Sequence, residues 1–93
     1  MRERWFGATG RRVPEVAIEG EDDIPLAEAL VLDGVEDAAR LADAHAQGIP
    51  VVVRADDAEG VQAALRRPEV ACVLVPASKR ALRDLDFRRL TYG

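Results

Sequence analysis

The sequence predicts a small α/β domain: a mainly parallel sheet of about four strands with two long helices and one short one, half-barrel-like or flavodoxin-like. Three observations predict it. Short apolar runs recur at 29–33 "ALVLD", 51–54 "VVVR" and 70–75 "VACVLV". Ala-rich segments of helical period fill the intervals between them. Each interval carries an acidic residue where a helix would start and a glycine or proline where it would stop.

Taken in order, Val13–Glu19 "VPEVAIE" reads as the first strand of the sheet. Only "GEDDIPLAE" separates it from residue 29, too short for a crossover helix of about 10–12 residues with its turns. That leaves one helical turn beginning at Pro25, or a first strand lying antiparallel at an edge. After 29–33, Val35, Ala38, Ala39, Ala42 and Ala46 recur at helical spacing, with Asp33 or Gly34 as cap and Gly48 as the stop. The run 51–54 is β-branched at three of four positions, the pattern of a strand buried on both faces. A second helix follows, capped by Asp56, with Ala58, Val61, Ala64 and Leu65 on one face and Pro68 ending it. The last strand is 70–75, and Ser78 caps a short helix "KRALRDLDF" that turns Ala81, Leu82 and Leu85 inward. Connections of this length between strands demand parallel crossovers.

At 93 residues the chain is one domain at most. Hydrophobic residues are 48% but aromatics only 4%, so the core must come from Val, Leu, Ile and Ala, and a core so thin favours self-association. The net charge of −4 disfavours nucleic acid and anionic membranes as partners. The charge is uneven: residues 1–12 hold Arg2, Arg4, Arg11 and Arg12 against Glu3 alone, an arm of +3, and the remainder carries −7. The sequence therefore divides into a basic N-terminal arm, 1–12, and a single α/β domain, 13–93. No apolar run approaches the roughly 20 residues that span a bilayer, and no secretory signal is present, which makes cytoplasm the default compartment.

The stretch "GATG" at residues 7–10 resembles the start of a dinucleotide loop, but that loop needs a strand before it and a helix after it. Here only "MRERWF" precedes, and Val13-Pro14 falls where the helix should open. Trp5 and Phe6, with Phe87 and Tyr92, are instead candidate interface residues, packing on the domain or on a second subunit. Cys72 is the single cysteine and His45 the single histidine, so neither a disulfide nor a cysteine- or histidine-rich metal site can form.

In a parallel sheet, functional groups collect beyond the carboxyl ends of the strands. Those ends place Asp33, Arg54, Asp56, Asp57, Ser78 and Lys79 as candidate ligand-binding residues. Asp22, Asp23 and Asp33 form a candidate carboxylate set for Mg²⁺, which prefers oxygen ligands. Ser78-Lys79-Arg80 at a helix start would suit phosphate. No complete catalytic set emerges, and the same aspartates are expected at helix caps on structural grounds alone.

"ALVLD" ending at Asp33, with "IPVVVRADDAE" and "VLVPASK", is similar to the later half of a response-regulator receiver domain. That resemblance implies a phospho-accepting Asp33 with Asp22 and Asp23 as its acidic pair. The chain lacks the αβα segment that would separate them, and Lys79 falls several residues beyond the usual lysine. Residues 51–76 resemble a stretch of (β/α) barrel proteins, among them the barrel-fold subunit of archaeal ribonuclease P, which implies a half-barrel and an RNA–protein complex. The readings that follow are a non-catalytic interaction module, a small ligand binder using Mg²⁺ or phosphate at the carboxyl edge, and an RNA–protein subunit using the arginine arm.

Overall fold

The computed structural model of the chain describes residues 3–84. It opens as an antiparallel hairpin, β1 (Glu3–Trp5) with β2 (Arg12–Pro14), and after a bend at Glu15 continues into β3 (Val16–Ile18). Then come a 3-10 turn at Leu26–Glu28, β4 (Leu30–Leu32), α1 (Ala38–Ala46), β5 (Val51–Arg54), α2 (Ala58–Leu65) and β6 (Val70–Val75). A 3-10 segment, Ala77–Asp84, closes the described chain. Strands β3, β6, β5 and β4 lie side by side in that order, all parallel, which establishes the α/β class.

From β4 to β5 to β6 the chain moves one strand over each time in the same direction. Right-handed crossovers, the near-universal sense, then put both helices on one face. Leu41 and Ala44 of α1 and Val61 and Ala64 of α2 indeed share one core cluster with Val51, Val53, Val73 and Val75. The step from β3 to β4 runs the other way across the whole sheet, so the same handedness sends it over the opposite face. There Ile24, Leu26 and Ala29 pack with Phe6, Val13, Val52 and Leu74. Three interstrand steps span about 14 Å, which an extended segment of this length covers without a helix. The first strand is accordingly at an edge, parallel, and one helical turn follows Pro25.

In β6 the pairing jumps: Val70 faces Val51 but Cys72 faces Val52, so Ala71 is an extra residue. That bulge turns both Ala71 and Cys72 onto the hairpin face, where both are buried. Cys72 is fully enclosed, the small buried hydrophobe its position suggests. Burial pushes its thiol up to about 12, reinforced by Asp22 and opposed by a backbone hydrogen bond at Ala17 and by Arg4.

Three sequence expectations need correction. Residues 3–12 do not form a free arm, because residues 3–5 pair with 12–14 and Phe6 is fully buried in the core. The alternation of a strand explains it: Arg4 and Phe6 face the domain, and Trp5 between them faces out. The Arg4 guanidinium donates to the carbonyls of Leu65 (2.6 Å), Val70 (2.9 Å) and Arg67 (3.3 Å), covering the carboxyl end of α2. Its Nε also lies 3.5 Å from Glu15.

Next, both caps fall later than predicted, by three or four residues for α1 and by one for α2. Asp37, not Asp33 or Gly34, accepts from Arg40 N–H, and Asp57, not Asp56, accepts from Gly60 N–H at 2.7 Å. The residues before each cap carry the chain from the strand end back over the sheet. Finally, Ala38, Ala39, Ala42 and Ala46 are exposed, and α1 buries Leu41 and Ala44 instead. One leucine outweighs several alanines because transfer energy scales with apolar area. The stop at Gly48 is as predicted, with φ +74° just past the end of α1.

The two edges of the sheet are treated differently. Along β3 the groups facing away from β6 belong to Val16 and Ile18. Ile18 N–H donates to the Asp22 carboxylate at 2.8 Å, and Ile18 C=O accepts from Glu21 and Asp22 N–H. At Ile18 that edge is closed by its own loop. Along β4, Leu30 N–H donates to Pro50 C=O, so by strand alternation the N–H and C=O of Val31 face outward. Among the described residues no strand lies beyond β4, and its sequence Leu-Val-Leu carries neither charge nor proline.

Candidate functional site

The right-handed topology splits the carboxyl edge in two. Beyond β3 the chain leaves over one face, and beyond β6 over the other, so the crevice between them is the switch point where open α/β sheets bind ligands. Here it is filled by ion pairs. Arg80 meets Glu21 at 2.8 Å, Arg83 meets Asp22 at 3.4 Å, and Arg54 reaches Glu19 at 3.6 Å. Arg54 thus pairs with Glu19 rather than with Asp33 or Asp56.

Beyond β4 and β5 a cleft of about 220 Å³ remains open. Its walls are Asp33, Glu36, Asp56 and Asp57, with Arg54 alone of opposite sign, and its floor is Val53 and Ala55. Asp33, Arg54, Asp56 and Asp57 are therefore brought together as the sequence predicted. Glu36 was not anticipated, although its place three residues after Asp33 in "DGVED" is the available signal. Four carboxylates against one guanidinium favour a cationic group over phosphate. The amides at the start of α2 are also partly used, since Asp57 caps Gly60 N–H.

Ser78 and Lys79 lie outside this cleft. Both are exposed on the 3-10 segment, and Lys79 N–H donates to Pro76 C=O at 2.9 Å. The segment kinks at Lys79, so it does not offer the fan of free amides that phosphate needs. The carboxylates assigned to Mg²⁺ are separated too. Asp22 follows β3 and Asp33 follows β4, at opposite edges of the sheet, and Asp22 is occupied by Ile18 and Arg83. Among the described residues no three carboxylate, His or Cys side chains gather to hold a metal ion.

Of the four proposed interface aromatics, Phe6 is internal and cannot serve. Trp5 is 62% exposed, with the Arg12 guanidinium over its ring at 5.4 Å. Phe87 and Tyr92 lie outside the described residues. The "GATG" segment joins two antiparallel strands, with Thr9 N–H and hydroxyl both donating to Phe6 C=O. It has no helix behind it. Gly7, at φ +56°, fits against Gly48 C=O and Pro50, where a Cβ would lie 2.6 Å from the carbonyl oxygen.

No protein-family model, curated protein or solved structure matches the chain. The receiver resemblance also meets a topological difference. In the flavodoxin-like order the first strand pairs with the third, whose match here is β4, whereas β3 pairs with β6 and lies across the sheet from β4. What the fold defines is an α/β protein with no helix among the described residues long and apolar enough to cross a membrane.

Proposed function

We propose that this chain is a non-catalytic α/β interaction module that associates with itself. The observation that carries this reading is the contrast between the two sheet edges. One is sealed by a dedicated aspartate, and the other presents an uncharged apolar strand with its central N–H and C=O directed outward. Natural sheets blunt edges with short strands, charge, proline or covering chain; β4 is short, at three residues, but among the described residues it has none of the other three. Exposed Trp5 adds a large aromatic surface of the kind that anchors interfaces.

Every charged side chain among the described residues keeps some contact with solvent. Those of the switch-point crevice hold one another in ion pairs, an arrangement suited to bracing loops rather than to acid–base work. Sedimentation equilibrium over a wide concentration range tests the reading. Reversible assembly beyond the monomer is expected, and a monomer at every concentration refutes self-association.

The open cleft supports a second reading, a binder of an organic ammonium ligand through Asp33, Asp56 and Asp57. A polyamine is the first probe. Saturable stabilisation by it that Asp33→Asn abolishes would favour this reading over the first. Absence of any effect counts against it.

A further inference from the structure

We infer that the open edge pairs with the same edge of a second copy, β4 against β4 antiparallel about a two-fold axis at Val31, with the α1 helices meeting through Arg40 and Asp43. The inference rests on the self-association reading and adds its geometry. An outward-facing residue of an edge strand can exchange both its backbone hydrogen bonds with the residue opposite. Val31 is the outward residue of β4, so two-fold symmetry sets Val31 against Val31, and the flanking residues follow. Leu30 falls opposite Leu32, apolar against apolar on the helix face. Asp33 falls opposite Ala29, which keeps the carboxylates of the two copies apart. The strand is thus complementary to itself in hydrophobicity and in charge, which is what an isologous contact requires. The opposite edge cannot compete, because the Asp22 loop occupies Ile18.

Helix α1 supplies an independent complementarity. With both crossovers right-handed, the helical period turns Ala38, Ala42 and Ala46 toward the α2 side and Arg40 and Asp43 toward the open edge. Both charged residues are exposed, and among the described residues neither the Arg40 nor the Asp43 side chain has an ion-pair partner. Across the two-fold axis the α1 helices run antiparallel, so Arg40 of each copy comes beside Asp43 of the other. A basic and an acidic residue three apart on one flank match their own inverted image.

Two measurements test this. Sedimentation equilibrium compares the wild type with Asp43→Arg and with the double variant Arg40→Asp/Asp43→Arg. These exposed positions leave the core untouched. The single reversal replaces two attractive pairs with repulsive ones and is expected to weaken the dimer about tenfold, and the double reversal to restore it. Amide hydrogen exchange at Val31, followed by NMR at low and high concentration, reads the ladder directly. Protection that rises with concentration is expected. A dimer whose Val31 amide exchanges equally fast at both concentrations, or which is indifferent to both charge variants, overturns this geometry and leaves the self-association reading standing. A monomer at every concentration overturns both.

Discussion

Replacing Arg4 with alanine distinguishes a structural clamp from a basic arm. In the folded chain its guanidinium donates to three carbonyls around the end of α2 and the start of β6, at 2.6, 2.9 and 3.3 Å, and lies beside Glu15. A hydrogen bond from a charged donor contributes about 1.5–3 kcal/mol. The site is only part-buried, so water recovers much of that when the side chain is removed, and the 3.3 Å contact is weak. A net loss of about 2–3 kcal/mol is the reasonable expectation. For a domain of this size that lowers the melting temperature by roughly 10–20 °C. Urea titration followed by circular dichroism gives the same quantity as a shift in midpoint. Arg4→Lys keeps the charge but not the planar fork, and should recover less than half of the loss. If Arg4→Ala changes stability by less than about 0.5 kcal/mol, the range of ordinary surface substitutions, the clamp is refuted and residues 1–12 behave as an arm after all.

Three further perturbations follow from the same contacts. Gly7→Ala sets a Cβ 2.6 Å from Gly48 C=O at a φ of +56°, so a loss of at least about 1–2 kcal/mol is expected in the same titration. Asp22→Ala leaves Ile18 N–H without its acceptor, at about 1–3 kcal/mol. Asp22→Asn, which keeps an acceptor oxygen, should cost only the part-buried Arg83 pair, about 1 kcal/mol. For Cys72 the folded thiol titrates above its ordinary value of 9.0, at about 12. The thiol is neutral in both states below pH 9, so its burial costs no ionisation there. Between pH 9 and about 12 only the unfolded chain loses the proton, and stability falls with rising pH at up to about 1.4 kcal/mol per unit. Urea midpoints from pH 9 to 11 should show that slope in the wild type and lose it in Cys72→Ala.

The strands and helices were legible because each depends on local pattern. Val70–Val75 was read to the residue, since six consecutive apolar positions bounded by Pro68 and Pro76 leave little choice. The caps slipped because Asp56 and Asp57 are chemically alike, and only the path of the loop over the sheet decides which one meets Gly60. The hairpin was hidden for a different reason. Three-residue strands have too short a pattern to register as period two, and the partner that fixes them, Phe6 in a pocket formed by Val13, Val52 and Leu74, is known only after the sheet exists. The role of Arg4 was equally out of reach, since its acceptors lie more than 60 residues away in the chain. Of the six residues the sequence assigned to the carboxyl edge, Asp33, Arg54, Asp56 and Asp57 line one cleft, because all follow β4 and β5, which are neighbours, and Ser78 and Lys79 lie outside it. The sequence could not place Asp22 relative to Asp33, because that depends on which edge β3 occupies.

That single topological choice has the widest consequence in the molecule. With β3 beside β6, the chain must cross the sheet backwards to reach β4, and handedness puts the crossing on the face opposite the helices. The crossing segment and the hairpin together cover that face, which otherwise would stand open beneath Val52, Cys72 and Leu74. The same choice creates a switch point between β3 and β6, where the carboxylates of one loop meet the arginines of the other and close it. It also brings Asp22 within reach of Ile18 and seals the β3 edge. Glu19, Glu21 and Asp22, which follow β3, are therefore committed to holding the β3 side of the sheet. Strand β4 lies at the other end of the order, beyond the reach of any of these loops. Among the described residues the topology that secures one side leaves an apolar edge on the other, and it is at that side that a second chain can complete the sheet.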